Sequence, residues 1–95
     1  MTLGDVDLER EVLAMFSAQA VGLAGALATL PSDARALVHT LKGSARAIGA
    51  FGVADAAACL EAMIQNGGNP VEALAELDDA VSQARAAIDA ILQRS

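Results

Sequence analysis

His39-Thr40-Leu41-Lys42-Gly43-Ser44-Ala45-Arg46-Ala47-Ile48-Gly49-Ala50 is the stretch that decides how this chain folds. An ideal helix turns about 100° per residue. With His39 set at zero, Leu37, Leu41 and Ile48 fall within roughly 20° of the opposite side, and Ser44 and Ala45 flank them. Ser32, Arg35, Lys42, Gly43, Arg46 and Ala50 fall within roughly 60° of His39 itself. One face is apolar and the other carries the histidine, cations and small residues. A helix patterned in this way must bury its stripe against other elements.

The flanking sequence supplies those elements, and all of them read as helices. A first helix is expected from about Asp5, with Asp5 or Asp7 as its cap, to Leu30, where Pro31 stops it. Leu8, Val12, Met15, Phe16, Leu23, Leu27 and Leu30 are its expected inner face, and Gly22 and Gly25 mark a close approach or a bend. The second helix is expected from a cap at Ser32 or Asp33 to about Ala50, with Gly49 and Gly52 bracketing its end. A third runs from about Val53 to Gln65, with Val53, Ala56, Ala57, Leu60 and Ile64 on one side. Gly67-Gly68-Asn69-Pro70 then breaks the chain. Asn69 caps a fourth helix, Pro70 takes its first position, and Glu72 completes a capping pattern. Leu74, Leu77, Val81, Ala84, Ile88 and Ile91 carry its period onward to the end. No strand-like alternation interrupts the series. Short loops between such helices predict an all-α, antiparallel up-down-up-down four-helix bundle.

At 95 residues, the span 1–95 is expected to be one domain. A hydrophobic fraction of 55% is ample for a compact core and argues against disorder. Aromatic residues make up 2%, with no Trp or Tyr, which removes the stacking groups that nucleic-acid and carbohydrate sites use. The segment Val12–Leu30 comes nearest to a membrane span, but Ser17, Gln19, Gly22, Gly25 and Thr29 interrupt it, so no membrane association is expected. The start, Met1-Thr2-Leu3-Gly4-Asp5, has neither the basic region nor the apolar run of a signal peptide. A single cysteine, Cys59, cannot form an internal disulfide and is expected as a small buried filler. Both features suit a cytoplasmic protein.

Charge concentrates the interest on one face. The chain has a net charge of −6 and only 6 Lys+Arg, and three of the six (Arg35, Lys42, Arg46) share a helical face with the only histidine. A cationic strip on an acidic protein suits a small anion or an acidic partner surface, and it is too small for nucleic acid. Gly43 sits beside His39 on that face. Glycine inside a helix costs about 1 kcal/mol relative to alanine. Here the missing side chain opens room for an approaching group.

These residues resemble the histidine-containing phosphotransfer (HPt) domains of bacterial two-component phosphorelays. The family signature, His-x-Leu-Lys-Gly-(Ser/Ala)-(Ser/Ala) followed by an aliphatic-Gly pair, stands here as His39-Thr40-Leu41-Lys42-Gly43-Ser44-Ala45 and then Ile48-Gly49. The third helix adds Ala58-Cys59-Leu60-Glu61, similar to a Cys-x-x-Leu-Glu-like element frequent in the family. The first and fourth helices match in period and length only.

The resemblance implies that His39 carries a phosphoryl group, that Lys42 helps to neutralise it and that Gly43 gives a partner access. Glu61 occupies a position similar to a glutamate that hydrogen-bonds the active imidazole in the phosphotransfer domain of chemotaxis kinases. Such a bond would leave Nε2 free to attack. A supporting glutamine found in some members has Gln65 as its candidate here. Arg35, Arg46 and Ala50 are the candidate partner contacts. The implied partners are response-regulator receiver domains and a hybrid sensor histidine kinase. The protein is expected to be a monomer that binds no cofactor, with Mg²⁺ supplied by the receiver.

Other chemistries lack their residues. No Walker-type glycine loop is present, so no ATP-dependent kinase activity of its own is expected. The sequence after His39 also differs from the His-Glu-x-x-x-Pro type at which sensor kinases autophosphorylate. One histidine and one cysteine without clustered carboxylates do not form a metal site. The competing reading is an HPt-like module that binds receiver or kinase domains without carrying phosphate. An alanine at position 39 would have signalled it.

Overall fold

The structure, a computed structural model, describes residues 3–93. Those residues form α1 (Leu3–Leu27), α2 (Ala34–Ile48), α3 (Phe51–Asn66) and α4 (Val71–Leu92). Each helix packs on its neighbours in a ring, α1 on α2, α2 on α3, α3 on α4 and α4 on α1, without approach across the diagonals among the described residues. The cross-helix contacts run in the antiparallel sense. Arg10, early in α1, reaches Leu92 at the end of α4, and Ser17 meets Arg85 farther along the same pair. The protein is an all-α four-helix bundle.

Local chemistry sets each helix end. Gly49 (φ 82°) and Gly67 (φ 71°) take the left-handed conformation that glycine adopts without steric cost. At the first, Ala50 N–H donates to Ala45 O (2.8 Å) and Gly49 N–H to Arg46 O (3.2 Å). At the second, Gly68 N–H donates to Met63 O (3.0 Å) and Gly67 N–H to Ile64 O (3.4 Å). Both are Schellman closures, which satisfy the last carbonyls of a helix. Because the first occupies so little chain, α3 restarts at Phe51, two residues earlier than expected, and Gly52 lies inside its first turn. Asn69 Oδ1 accepts from Val71 N–H (3.0 Å), but the regular helix begins at Val71, so Pro70 and not the expected Asn69 holds the cap position.

The first helix departs most from expectation. It already runs at Leu3, so neither Asp5 nor Asp7 stands as its cap, and it stops at Leu27 rather than Leu30. Leu30, which precedes Pro31, is disfavoured in the right-handed helical region by the proline ring, and it takes a positive φ of 48°. Its inner face consists of Phe16, Ser17, Ala20 and Leu27, with Leu13, Leu23 and Ala24 partly covered. Leu8, Val12, Met15 and Leu30, expected inside, are exposed. Apolar residues surround α1 almost evenly, so its composition does not mark the side that meets the bundle.

Elsewhere the core follows the helical period. Val38, Leu41 and Ala45 of α2 are fully buried, as are Ala57 and Leu60 of α3. Leu77, Val81 and Ile88 of α4 complete it. Cys59, expected as a buried filler, is exposed because it steps about 100° away from Leu60.

Candidate functional site on the second and third helices

The site begins with the azimuth of α2. Its buried residues, Ala34, Val38, Leu41 and Ala45, centre roughly 50° away from the point opposite His39, on the Lys42 side. Val38 belongs to this buried stripe, which Leu37, Leu41 and Ile48 alone place too far round the helix. The rotation turns Lys42 into the seam with α3 and Gly43 out to solvent. Gly43 is exposed, and a Cβ built there would meet nothing within 4 Å.

His39 projects from the same face with its side chain 73% exposed. Its Nδ1 faces Glu61 of α3, 3.5 Å from Oε2. That is an ion-pair distance, longer than a well-formed hydrogen bond. The other oxygen, Oε1, accepts from Lys42 Nζ at 2.5 Å. Lys42 and Glu61 are each only 17% exposed at the side chain. One carboxylate from α3 therefore faces both candidate side chains of α2, His39 and Lys42. The Lys42 hydrogen bond is the main reason that the Glu61 carboxyl titrates below its ordinary value, against the opposing effect of partial burial.

The remaining candidates divide into those on the His39 face and those off it. Arg35 and Arg46 lie on α2, exposed, with no carboxylate within ion-pair distance among the described residues. Ala50 does not belong to that face. It lies beyond the left-handed turn at Gly49 and is the half-buried residue that opens α3, so helical spacing does not extend to it. Ser32 likewise precedes the helix. Gln65 is exposed on α3, one turn beyond Glu61.

Sequence reasoning missed a shallow apolar groove between α1 and the C-terminal half of α2. Leu8, Val12 and Met15 line one wall, and Ser44, Ala47 and Ile48 the other. Ala47 stands roughly 80° from His39 around α2, so the groove borders the histidine face. The even spread of apolar residues around α1 hid this exposure.

The arrangement suits covalent chemistry at an exposed ring nitrogen. Nδ1 has an anionic neighbour, Nε2 lies on the other side of the ring, and the exposed Arg35 and Arg46 lie on the same helix to one side of it. No group of His, Cys, Asp and Glu among the described residues is arranged to hold a metal ion, and no helix there is long and apolar enough to cross a membrane. Neither the curated proteins nor the solved structures gave a match to the chain. The Hpt domain model matches residues 10–87, a span that takes in His39, Lys42, Gly43 and Glu61, and the chain belongs to this family of phosphorelay histidine-phosphotransfer domains.

Proposed function

We propose that this protein relays a phosphoryl group between receiver-domain aspartates through His39. The observation that carries the reading is the exposed imidazole of His39, with Nδ1 facing Glu61 and the open position of Gly43 one turn away. Neutral imidazole attacks the phosphorus of an aspartyl phosphate with the Nε2 lone pair. The N–P bond forms, the P–O bond breaks, and the electron pair leaves on the aspartate carboxylate. The positive charge gained by the ring is shared with Nδ1–H, which Glu61 faces. The reverse step passes the group to a second receiver.

Such transfer spreads negative charge over the phosphoryl oxygens in the transition state. Lys42, three residues after His39, meets that charge, and Mg²⁺ comes with the receiver. Arg35 and Arg46 attract the acidic rim of the partner. The apolar wall of Leu8, Val12 and Met15 offers the partner a dry contact beside the charged one. A hybrid sensor kinase is the expected source of phosphate, and receiver domains are both donors and acceptors.

The test is intact-mass analysis after mixing the protein with a phosphorylated receiver and Mg²⁺, repeated with His39→Gln. An acid-labile phosphate adduct that requires His39 is the expected result. Binding without an adduct across a panel of receivers would establish a docking module instead.

A further inference from the structure

In the resting site the ammonium of Lys42 is engaged by a carboxylate of the neighbouring helix. Lys42 Nζ lies against Glu61 Oε1 at 2.5 Å, while the second oxygen of the same carboxylate stands 3.5 Å from His39 Nδ1. The pair is sheltered but not sealed, at 17% exposure for each side chain, and it borders a ring that is 73% exposed. An ammonium group has three donors on a flexible stem and carries one unit of charge. Side chains on a helix lean toward its N-terminus, so Lys42 leans back over the turn that carries His39. It can therefore serve Glu61 or a group on His39, at a cost to one when it serves the other.

We infer that Glu61 is a positioning residue that acts through Lys42, holding the ammonium on α3 while His39 is bare and competing for it once His39 carries a phosphoryl group. The inference rests on the carrier reading of His39 and adds how the stability of the carried group is set. Competition for one cation keeps the phosphohistidine from being over-stabilised. A relay carrier needs this, because a group bound too firmly is not passed on. Glu61 thus trades stability of the phosphorylated form for readiness to donate.

The experiment needs no partner protein. The full chain is phosphorylated with phosphoramidate, in which the bond to the ammonium nitrogen breaks, ammonia leaves and the N–P bond forms at Nε2. Half-life and steady occupancy of the adduct are followed by intact mass and ³¹P NMR in the wild type, Glu61→Gln, Lys42→Met and the double variant. Glu61→Gln is expected to raise both by about two- to fivefold, the scale of a partly exposed ion pair. In the Lys42→Met background the same change should have no effect, since coupled residues lose their effect together.

An equal gain in both backgrounds would overturn the inference, because Glu61 would then act on the ring directly. So would an unchanged or shortened lifetime in Glu61→Gln. A measurement without substitution guards against a variant that misfolds. The ¹³C signal of the Glu61 carboxyl group in the wild type should move on phosphorylation as Lys42 is shared, and a static signal refutes the competition. Failure of the wild type to take phosphate from either phosphoramidate or a receiver would bring down the carrier reading itself. An adduct with an unresponsive Glu61 would bring down only this inference.

Discussion

Two seams of the bundle use the same device for different ends. Between α1 and α4, Arg10 donates to the carbonyl of Leu92 at 2.6 Å, and Arg85 Nε donates to the hydroxyl of Ser17 at 3.1 Å. Between α2 and α3, Lys42 donates to the carboxylate of Glu61. Each seam is crossed by a basic side chain, but the acceptors differ in charge. A carbonyl and a hydroxyl are neutral and stay so. Arg10 meets the negative end of the α4 dipole and satisfies a terminal carbonyl. Arg85 supplies a partner to a hydroxyl that is 7% exposed. These bonds hold the helices together whatever approaches from outside. An ion pair is different, because either member can exchange its partner for another ion. Among the described residues, only the seam that borders His39 is built in this exchangeable way.

The largest effect expected from breaking this contrast is at the carrier. His39→Gln should abolish phosphate labelling completely while leaving the far-UV circular dichroism intact, and retained labelling would refute the role of His39. Next comes the core beneath the exchangeable seam. Leu60→Ala removes a fully buried side chain and should cost about 2–5 kcal/mol in denaturant unfolding. Gly43→Arg adds bulk where the structure has open space and removes a helix-interior glycine, so stability should hold or rise by up to about 1 kcal/mol. Transfer from a receiver should fall by about tenfold or more, since each ~1.4 kcal/mol of lost docking is a factor of ten. Normal transfer kinetics would show that the partner approaches elsewhere.

The smaller effects sharpen the difference between the seams. Arg85→Met leaves the Ser17 hydroxyl without its partner and should cost about 1 kcal/mol of stability, with transfer unaffected. That loss should be independent of pH through the carboxylate range. The Lys42–Glu61 pair should behave otherwise. The Glu61 carboxyl titrates low, chiefly because of the Lys42 hydrogen bond. Its contribution is therefore whole above the ordinary carboxylate range and is lost as pH falls through the lowered value. Thermal melts should show Glu61→Gln slightly below the wild type in Tm at neutral pH and level with it in acid. A gap that persists in acid would mean that the pair is not what Glu61 contributes.

The legibility of the chain followed the sharpness of its local patterns. Gly67-Gly68-Asn69-Pro70 specifies its own break, and the helix restarts within one residue of the place expected from it. The second helix is strongly two-faced, so its polar side was identifiable, and His39 does project from it. The first helix is apolar around its whole circumference, and no local rule distinguishes Phe16, which is buried, from Met15, which is not. Cys59 was misplaced for a related reason. In an alanine-rich helix a small apolar side chain suits either a buried or an open position.

What the sequence determined alone is the set of helices, their breaks and the side of α2 on which the histidine stands. Those features depend on interactions within a few residues and on a 3.6-residue period. Only the tertiary structure decided that α2 is rolled toward α3 and that Lys42 is held by a carboxylate 19 positions away. Helical spacing defines directions around one axis, and the rotation of that axis against its neighbours comes from packing. The pairing of Lys42 with Glu61 arises from that rotation, and it makes the candidate site a shared property of two helices.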